Sequence, residues 1–273
     1  MIQKEMRRMC ASLFERGMEA ETLDHLIHED ETVEDLQLGG LRLLQKKTGF
    51  RFGMDSVLLA DFAAVRKEDT VVDFGTGTGI LPLLLIGRDK GSRFRAIEIQ
   101  EEYCEMASRT MALNHLEERV SVICGDAGNA DRMMAPCSVD AVICNPPYGI
   151  HGAALSSPFP DRATARNQEG DTLSRFFTAA FRILRGKGRF SMVYPAPQML
   201  QAMEQMRRCH LEPKRFQLIY PRENKPANLV LIEGVKDARP TLKPMAPLII
   251  YDNSMHLTNK LKSIYHIEEQ NPV

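Results

Sequence analysis

The sequence predicts an α/β fold built on a doubly wound, mostly parallel sheet of seven strands, and three observations predict it. Apolar runs of strand length alternate with segments of helical spacing from Thr70 onward. Acids and glycines recur just after those runs, at the strand ends where open α/β sheets bind ligands. The last two runs, Phe216 to Tyr220 and Asn228 to Glu233, are joined by Pro221 to Ala227, a link too short for a crossover helix, so this pair is antiparallel.

Composition narrows the class. The chain has 273 residues, 44% of them hydrophobic and 26% charged, with a formal net charge of -1. That is ordinary globular composition, and it excludes a chain-wide polyanion binder while allowing a local basic face. The cysteines, Cys10, Cys104, Cys124, Cys137, Cys144 and Cys209, show no CxxC and no Cys/His ligand spacing. They read as reduced core thiols, with no disulfide framework and no metal expected. The amino terminus is charged and lacks a hydrophobic leader core, and no apolar run reaches membrane-spanning length, so a cytoplasmic protein is expected.

Taken in order, residues 1–35 form an acid-rich, helix-permissive extension, 36–250 the main domain and 251–273 a peripheral tail. Leu36 to Leu38, Gly39-Gly40 and Leu41 to Gln45 read as a hairpin around a tight turn. Val57 to Val65 has helical spacing, with Asp55 or Ser56 as its cap, and such a helix end could face the carboxylate of an amino-acid-like ligand. Strand Thr70 to Phe74 leads through Gly75-Thr76-Gly77-Thr78-Gly79 to a helix at Ile80. Strand Phe94 to Ile99 precedes a helix from Glu101, strand Val120 to Cys124 ends at Gly125-Asp126, and strand Val139 to Cys144 ends at Asn145-Pro146-Pro147-Tyr148. A loop from Gly149 to Gly170, a helix from Asp171 to Leu184, strand Phe190 to Tyr194 and helix Gln198 to Cys209 complete the series.

The chemistry is concentrated in two of these stretches. In Asn145-Pro146-Pro147-Tyr148 the prolines fix the backbone, so the Asn145 side-chain oxygen and the Pro146 carbonyl can accept from one planar amino group while Tyr148 offers a stacking face. An amino nitrogen conjugated to a ring or carbonyl is a poor nucleophile. Two fixed acceptors favour its pyramidal form and spread the developing positive charge, which promotes N-alkylation of an aminopurine or an amide. In the second stretch, Asp73 precedes Gly75, Thr76, Gly77 and Gly79; an acid at that place suits a cationic amino group better than a pyrophosphate. Glu98 is placed to bind a ribose diol and Asp126 an adenine amino group. Together these residues describe S-adenosylmethionine facing an amino group.

These motifs resemble class I S-adenosylmethionine-dependent methyltransferases with an Asn-Pro-Pro-Tyr loop, a Rossmann-like fold. The stretches Phe50 to Ala60, Asp73 to Gly79, Asn145 to Tyr148 and Arg162-Ala163-Thr164-Ala165-Arg166 are similar to bacterial tRNA adenine-N6 methyltransferases acting on valine tRNA. The resemblance implies catalysis by Asn145, Pro146, Pro147 and Tyr148. It implies cofactor binding by Asp55, Asp73, Gly75, Thr76, Gly77, Gly79, Glu98, Asp126 and Asn145, and tRNA contact through Arg162 and Arg166. Further cations follow late in the chain, among them Arg182, Arg185, Arg189, Arg207, Arg208, Arg215, Arg222 and Lys225, and they suggest a basic rim around the pocket. A protein glutamine amide, a guanine N2 amino group of ribosomal RNA and a DNA adenine satisfy the same acceptors, and a cofactor-sensing RNA-binding protein would share the fold.

Overall fold

The computed structural model describes residues 24–48, 52–146 and 162–266, with the backbone alone for 162–171. Five strands run parallel side by side: β7 (Leu184–Pro195), β6 (Val139–Cys144), β3 (Thr70–Phe74), β4 (Arg93–Glu98) and β5 (Val120–Cys124). Strand β9 (Leu229–Lys236) is antiparallel to both β7 and β8 (Leu211–Tyr220), and it lies between them. The expected seven strands and their antiparallel pair are therefore present, and β8 points the same way as the parallel set. Two dipeptide strands, β10 (Lys243–Pro244) and β11 (Leu248–Ile249), extend the edge by pairing parallel with β8, giving nine strands.

Alternation along the strands supplies two cores. Val71, Ala141, Ile143, Val193, Ile219 and Leu231 face one layer, formed by α1 (Met54–Phe62) and α2 (Ile80–Gly87). Val72, Phe74, Val142, Phe190, Met192 and Ile232 face the other, formed by α4 (Ala130–Met133), α5 (Arg162–Ile183) and α6 (Met199–Arg208). In that second layer Phe74 meets Phe176 edge-on at 5.6 Å and Phe177 meets Phe190 at 5.2 Å. Each such buried ring contributes about 1.5–3 kcal/mol by removal from water.

Several boundaries differ from expectation. The hairpin starts earlier: β1 (Glu31–Asp35) pairs with β2 (Arg42–Lys46), so residues assigned to a helical extension form a strand. Its anchor is long-range, because buried Glu31 takes a forked pair of hydrogen bonds, 2.6 and 2.7 Å, from Arg109 on α3 (Glu101–Leu113). Helix α5 begins at Arg162, so its first nine residues fall in the stretch expected to be loop. The tail is not peripheral either. From α7 (Asn259–Ile264), Leu261 and Ile264 are buried in the first core beside Leu248 and Ile250 of the main domain, with α7 packed on α1. No helix among the described residues is long and apolar enough to cross a membrane.

Where the strands begin, arginines meet acids: Arg185 with Asp140 at 2.7 Å, Arg207 with Glu212 at 3.2 Å, Arg182 with Asp131, and Arg189 with Asp69. Within the sheet Arg215 forks onto Glu233, two contacts of 2.8 Å, and lies 4.2 Å over the Phe62 ring. Lys236, buried, donates to the Phe181 and Leu184 carbonyls at 2.6 and 2.8 Å, where the carboxyl end of α5 favours a cation.

Candidate active site

Adjacent parallel strands bring the sequence-distant acids to one edge. Register places Asp73 beside Ala96 and Ile143, and Glu98 beside Cys124, so the segments after β3, β4, β5 and β6 line up as neighbours. The turn after β3 is held from β4: Gly75 and Thr76 both donate backbone N–H to the Ile97 carbonyl, at 2.9 and 3.0 Å. Gly77, at φ 56, donates to Glu98 Oε2 at 2.9 Å, and the space where a Cβ would stand is open. Gly79 is required by its backbone, at φ 90; a Cβ there would also come 2.5 Å from the terminal methyl of Met111, which would have to move.

Asp73 is completely buried, and neither carboxylate oxygen has a hydrogen-bond partner. Burial pushes its pKa up to about 7; the Thr76 hydroxyl is near enough to pull it back slightly without a formed hydrogen bond, and the charge of Glu98 adds to the rise. A buried carboxylate without donors is costly, so this pair of oxygens is matched to a ligand that brings them. Glu98 differs: its other oxygen, Oε1, accepts from the N–H groups of Ile99 and Gln100, both at 3.0 Å, which orients the carboxylate at the head of α3. Ile99 beside it is 64% exposed, an apolar surface for a flat ring. Ile99 was not singled out from the sequence; its only signal was an apolar residue following an acid at a strand end.

Asp126 stands after β5 as expected, with Oδ1 accepting from Gly128 N–H at 2.8 Å and Oδ2 paired with Arg175 of α5. A ligand amino group there would share an acid already engaged. The nearby thiols are neutral donors at most. Burial raises Cys144 well above its usual value and Cys104 to about 12, and Cys104 donates to the Glu98 carbonyl at 3.1 Å. Cys124, expected in the core, is exposed.

Asn145 follows β6, and Pro146 after it is buried. The Asn145 Nδ2 donates to Ser56 Oγ at 3.2 Å, which sets the orientation of the amide. Ser56 is itself buried on α1. The helix begins one residue before Asp55, with Gly53 at the cap position and no side-chain cap, so Asp55 and Ser56 lie in the first turn rather than capping it. Asp55 is felt by half-buried Tyr265, whose hydroxyl is raised by burial first and by that charge second. Pro147 and Tyr148 lie outside the described residues. Arg162 and Arg166 occupy the first turns of α5, and their side chains lie outside the description as well.

The arrangement thus offers an unsatisfied acid for a cation, an oriented acid with an apolar neighbour, and an amide acceptor at the adjacent strand end. Comparisons with known proteins agree with it. The family model described as methyltransferase small domain matches residues 51–216. A protein from Erwinia tasmaniensis, 31% identical over 68% of this chain and 75% of its own length, is named tRNA1(Val) (adenine(37)-N6)-methyltransferase. Proteins of the same name from Tolumonas auensis (29%, 69% of this chain and 77% of theirs) and Parabacteroides distasonis (27%, 82% and 88%) are also similar. Among solved structures, a predicted O-methyltransferase from Agrobacterium tumefaciens shares the fold with a TM-score of 0.63 at 21% identity, covering 78% of this chain and 96% of that one. TYW2 of P. horikoshii, solved in complex with MeSAdo, has a TM-score of 0.53 at 17% identity, covering 77% and 73%. The orphaned Asp73 oxygens, the open Gly77 turn and Glu98 fit S-adenosylmethionine, the cofactor of this protein. With its model matched over more than half of the chain, the protein belongs to the methyltransferase small domain family.

Proposed function

We propose that this methyltransferase modifies the N6 amino group of an adenine in a tRNA anticodon loop. The observation that carries the reading is Asn145 at the end of β6, its amide oriented by Ser56, beside the turn headed by Asp73. Asn145 Oδ1 and the Pro146 carbonyl accept the two hydrogens of the target amino group. They favour its pyramidal form and stabilise positive charge as it develops on nitrogen. Tyr148 stacks on the base, and Pro147 holds the loop rigid. Asp73 and Thr76 hold the cofactor's cationic amino group, Glu98 its ribose, Ile99 and Asp126 its adenine, and Gly75, Gly77 and Gly79 allow the backbone to approach closely. The start of α1 with Asp55 closes the amino-acid end. When bound, S-adenosylmethionine supplies an electrophilic sulfonium methyl. Arg162 and Arg166 contact the tRNA backbone.

The names of the similar proteins support adenine in tRNA over an amide. The test is mass spectrometry of nucleosides from tRNA of a strain deleted for this gene, before and after incubation with purified protein and S-adenosylmethionine. N6-methyladenosine is expected only with the active protein. Its absence, with label entering protein or ribosomal RNA instead, would overturn the assignment.

A further inference from the structure

The late cations do not form one rim. Arg182, Arg185, Arg189, Arg207 and Arg215 are neutralised by carboxylates, most of them at the edge where the strands begin. Arg222 and Lys225 differ in both respects. Neither has a carboxylate partner among the described residues, and both lie in the β8–β9 hairpin, residues 221–228, at the edge that carries Asn145.

We propose that this hairpin grips the RNA backbone beside the target base through Arg222 and Lys225; the inference rests on the tRNA reading above. The placement follows from topology. β8 points the same way as β6 and β7, so Tyr220 ends at the edge where Cys144 ends, and the hairpin is tied to the segment after β7 by Ala196 N–H donating to the Asn228 carbonyl at 3.0 Å. With β7 and β9 between, the hairpin stands on the order of 10–15 Å from β6 by strand spacing. That is within reach of phosphates flanking a base held at Asn145.

The hairpin is also prepared for a polyanion. Lys225 N–H donates to the Arg222 carbonyl at 3.1 Å, so both side chains leave one tight turn, and Pro221 and Pro226 restrict its backbone. Arg222 Nη1 lies 3.7 Å from Met255 Sδ, which props the guanidinium against the turn 252–256. Asp252 in that turn is engaged by its own loop: Oδ1 accepts from the N–H groups of Ser254 and His256 at 2.8 and 2.9 Å, and Oδ2 lies 3.9 Å from His256 Nδ1. Glu223 is the one acid of the hairpin itself. Leu200, 69% exposed in the first turn of α6, and Met255, 57% exposed, add apolar surface for unstacked bases on the same edge. Cations beside apolar contacts on a rigid loop suit a single-stranded RNA loop.

The test compares wild type with the double variant Arg222→Ala, Lys225→Ala, using tRNA from the deletion strain. Filter binding is expected to show a Kd for tRNA raised about tenfold. The slope of log Kd against log salt is expected to fall by about 1.4, at roughly 0.7 per released phosphate contact. The Kd for S-adenosylmethionine, by calorimetry, stays within twofold and reports that the variant is folded. Arg208→Ala, at the far end of α6, serves as the control and leaves the tRNA Kd unchanged. An unaltered Kd and salt slope in the double variant, with wild type active on tRNA, would overturn the hairpin's role alone. A wild-type protein that binds and methylates no tRNA would overturn both readings.

Discussion

The two edges of the sheet are made of the same residue types put to opposite uses. Where the strands begin, charge is matched: Asp69 accepts from Arg189 and from the Arg66 N–H at 2.7 Å, and Asp140 accepts from Arg185 and from the Thr70 N–H at 2.9 Å. Where the strands end, Asp126 is paired with Arg175, but Asp73 stands without a donor and Arg222 and Lys225 without a carboxylate among the described residues. Matched groups hold the fold together, and unmatched ones store binding capacity at the expense of stability. The difference teaches that stability and function here are separable by edge.

Substitutions can break that separation, and the largest effect is expected at the site. On the proposed mechanism Asn145→Ala removes an acceptor for developing charge, so kcat should fall about a hundred- to a thousandfold with cofactor Kd little changed, read by single-turnover methylation. Asp73 comes next. Its folded pKa of about 7 exceeds the ordinary 3.8, so the ligand-free native state holds a proton that the unfolded chain has released, and unfolding free energy falls as pH rises from about 4 to 7. Urea melts at pH 5 and pH 8 should therefore differ by on the order of 3 kcal/mol in wild type, and the difference should shrink in Asp73→Asn. Cofactor binding should release a proton at pH 6 and strengthen toward pH 8, which calorimetry in buffers of different ionisation heat would show. At the other edge, Asp69→Ala strands the nearly buried Arg189 and should cost about 3 kcal/mol of stability, leaving the cofactor Kd of the folded protein within twofold. Smallest is Ser56→Ala, which removes one hydrogen bond from the Asn145 amide and should lower kcat by about threefold without moving the Kd for cofactor.

What could be read from the sequence was local, and what could not was long-range. The strand ends are marked by breaks from apolar runs to acids, glycines and prolines, so Asp73, Glu98, Asp126 and Asn145 were each expected at strand ends, where the structure has them. Their partners were not. Ser56 meets Asn145 across 89 residues and Arg175 meets Asp126 across 49, and no periodicity encodes such pairs. The basic rim failed for the same reason: neighbouring arginines in sequence look alike, yet the strand direction sends most of them to the edge where acids wait. The tail looked peripheral because its helix has six residues, too short for a pattern to register.

That tail has a consequence for how the protein is made. Helix α1 lies near the start of the domain, yet the side chains that cover it, Leu261 and Ile264, are translated roughly 200 residues later. At ordinary elongation rates the ribosome needs about 10–40 s to supply them. During that interval Val57, Leu58 and their neighbours have no finished cover, and the turn carrying Ser56 is not braced. The nascent chain is then a client for holding chaperones, and cutting the message ahead of Leu248 should yield aggregates rather than a soluble, merely inactive enzyme.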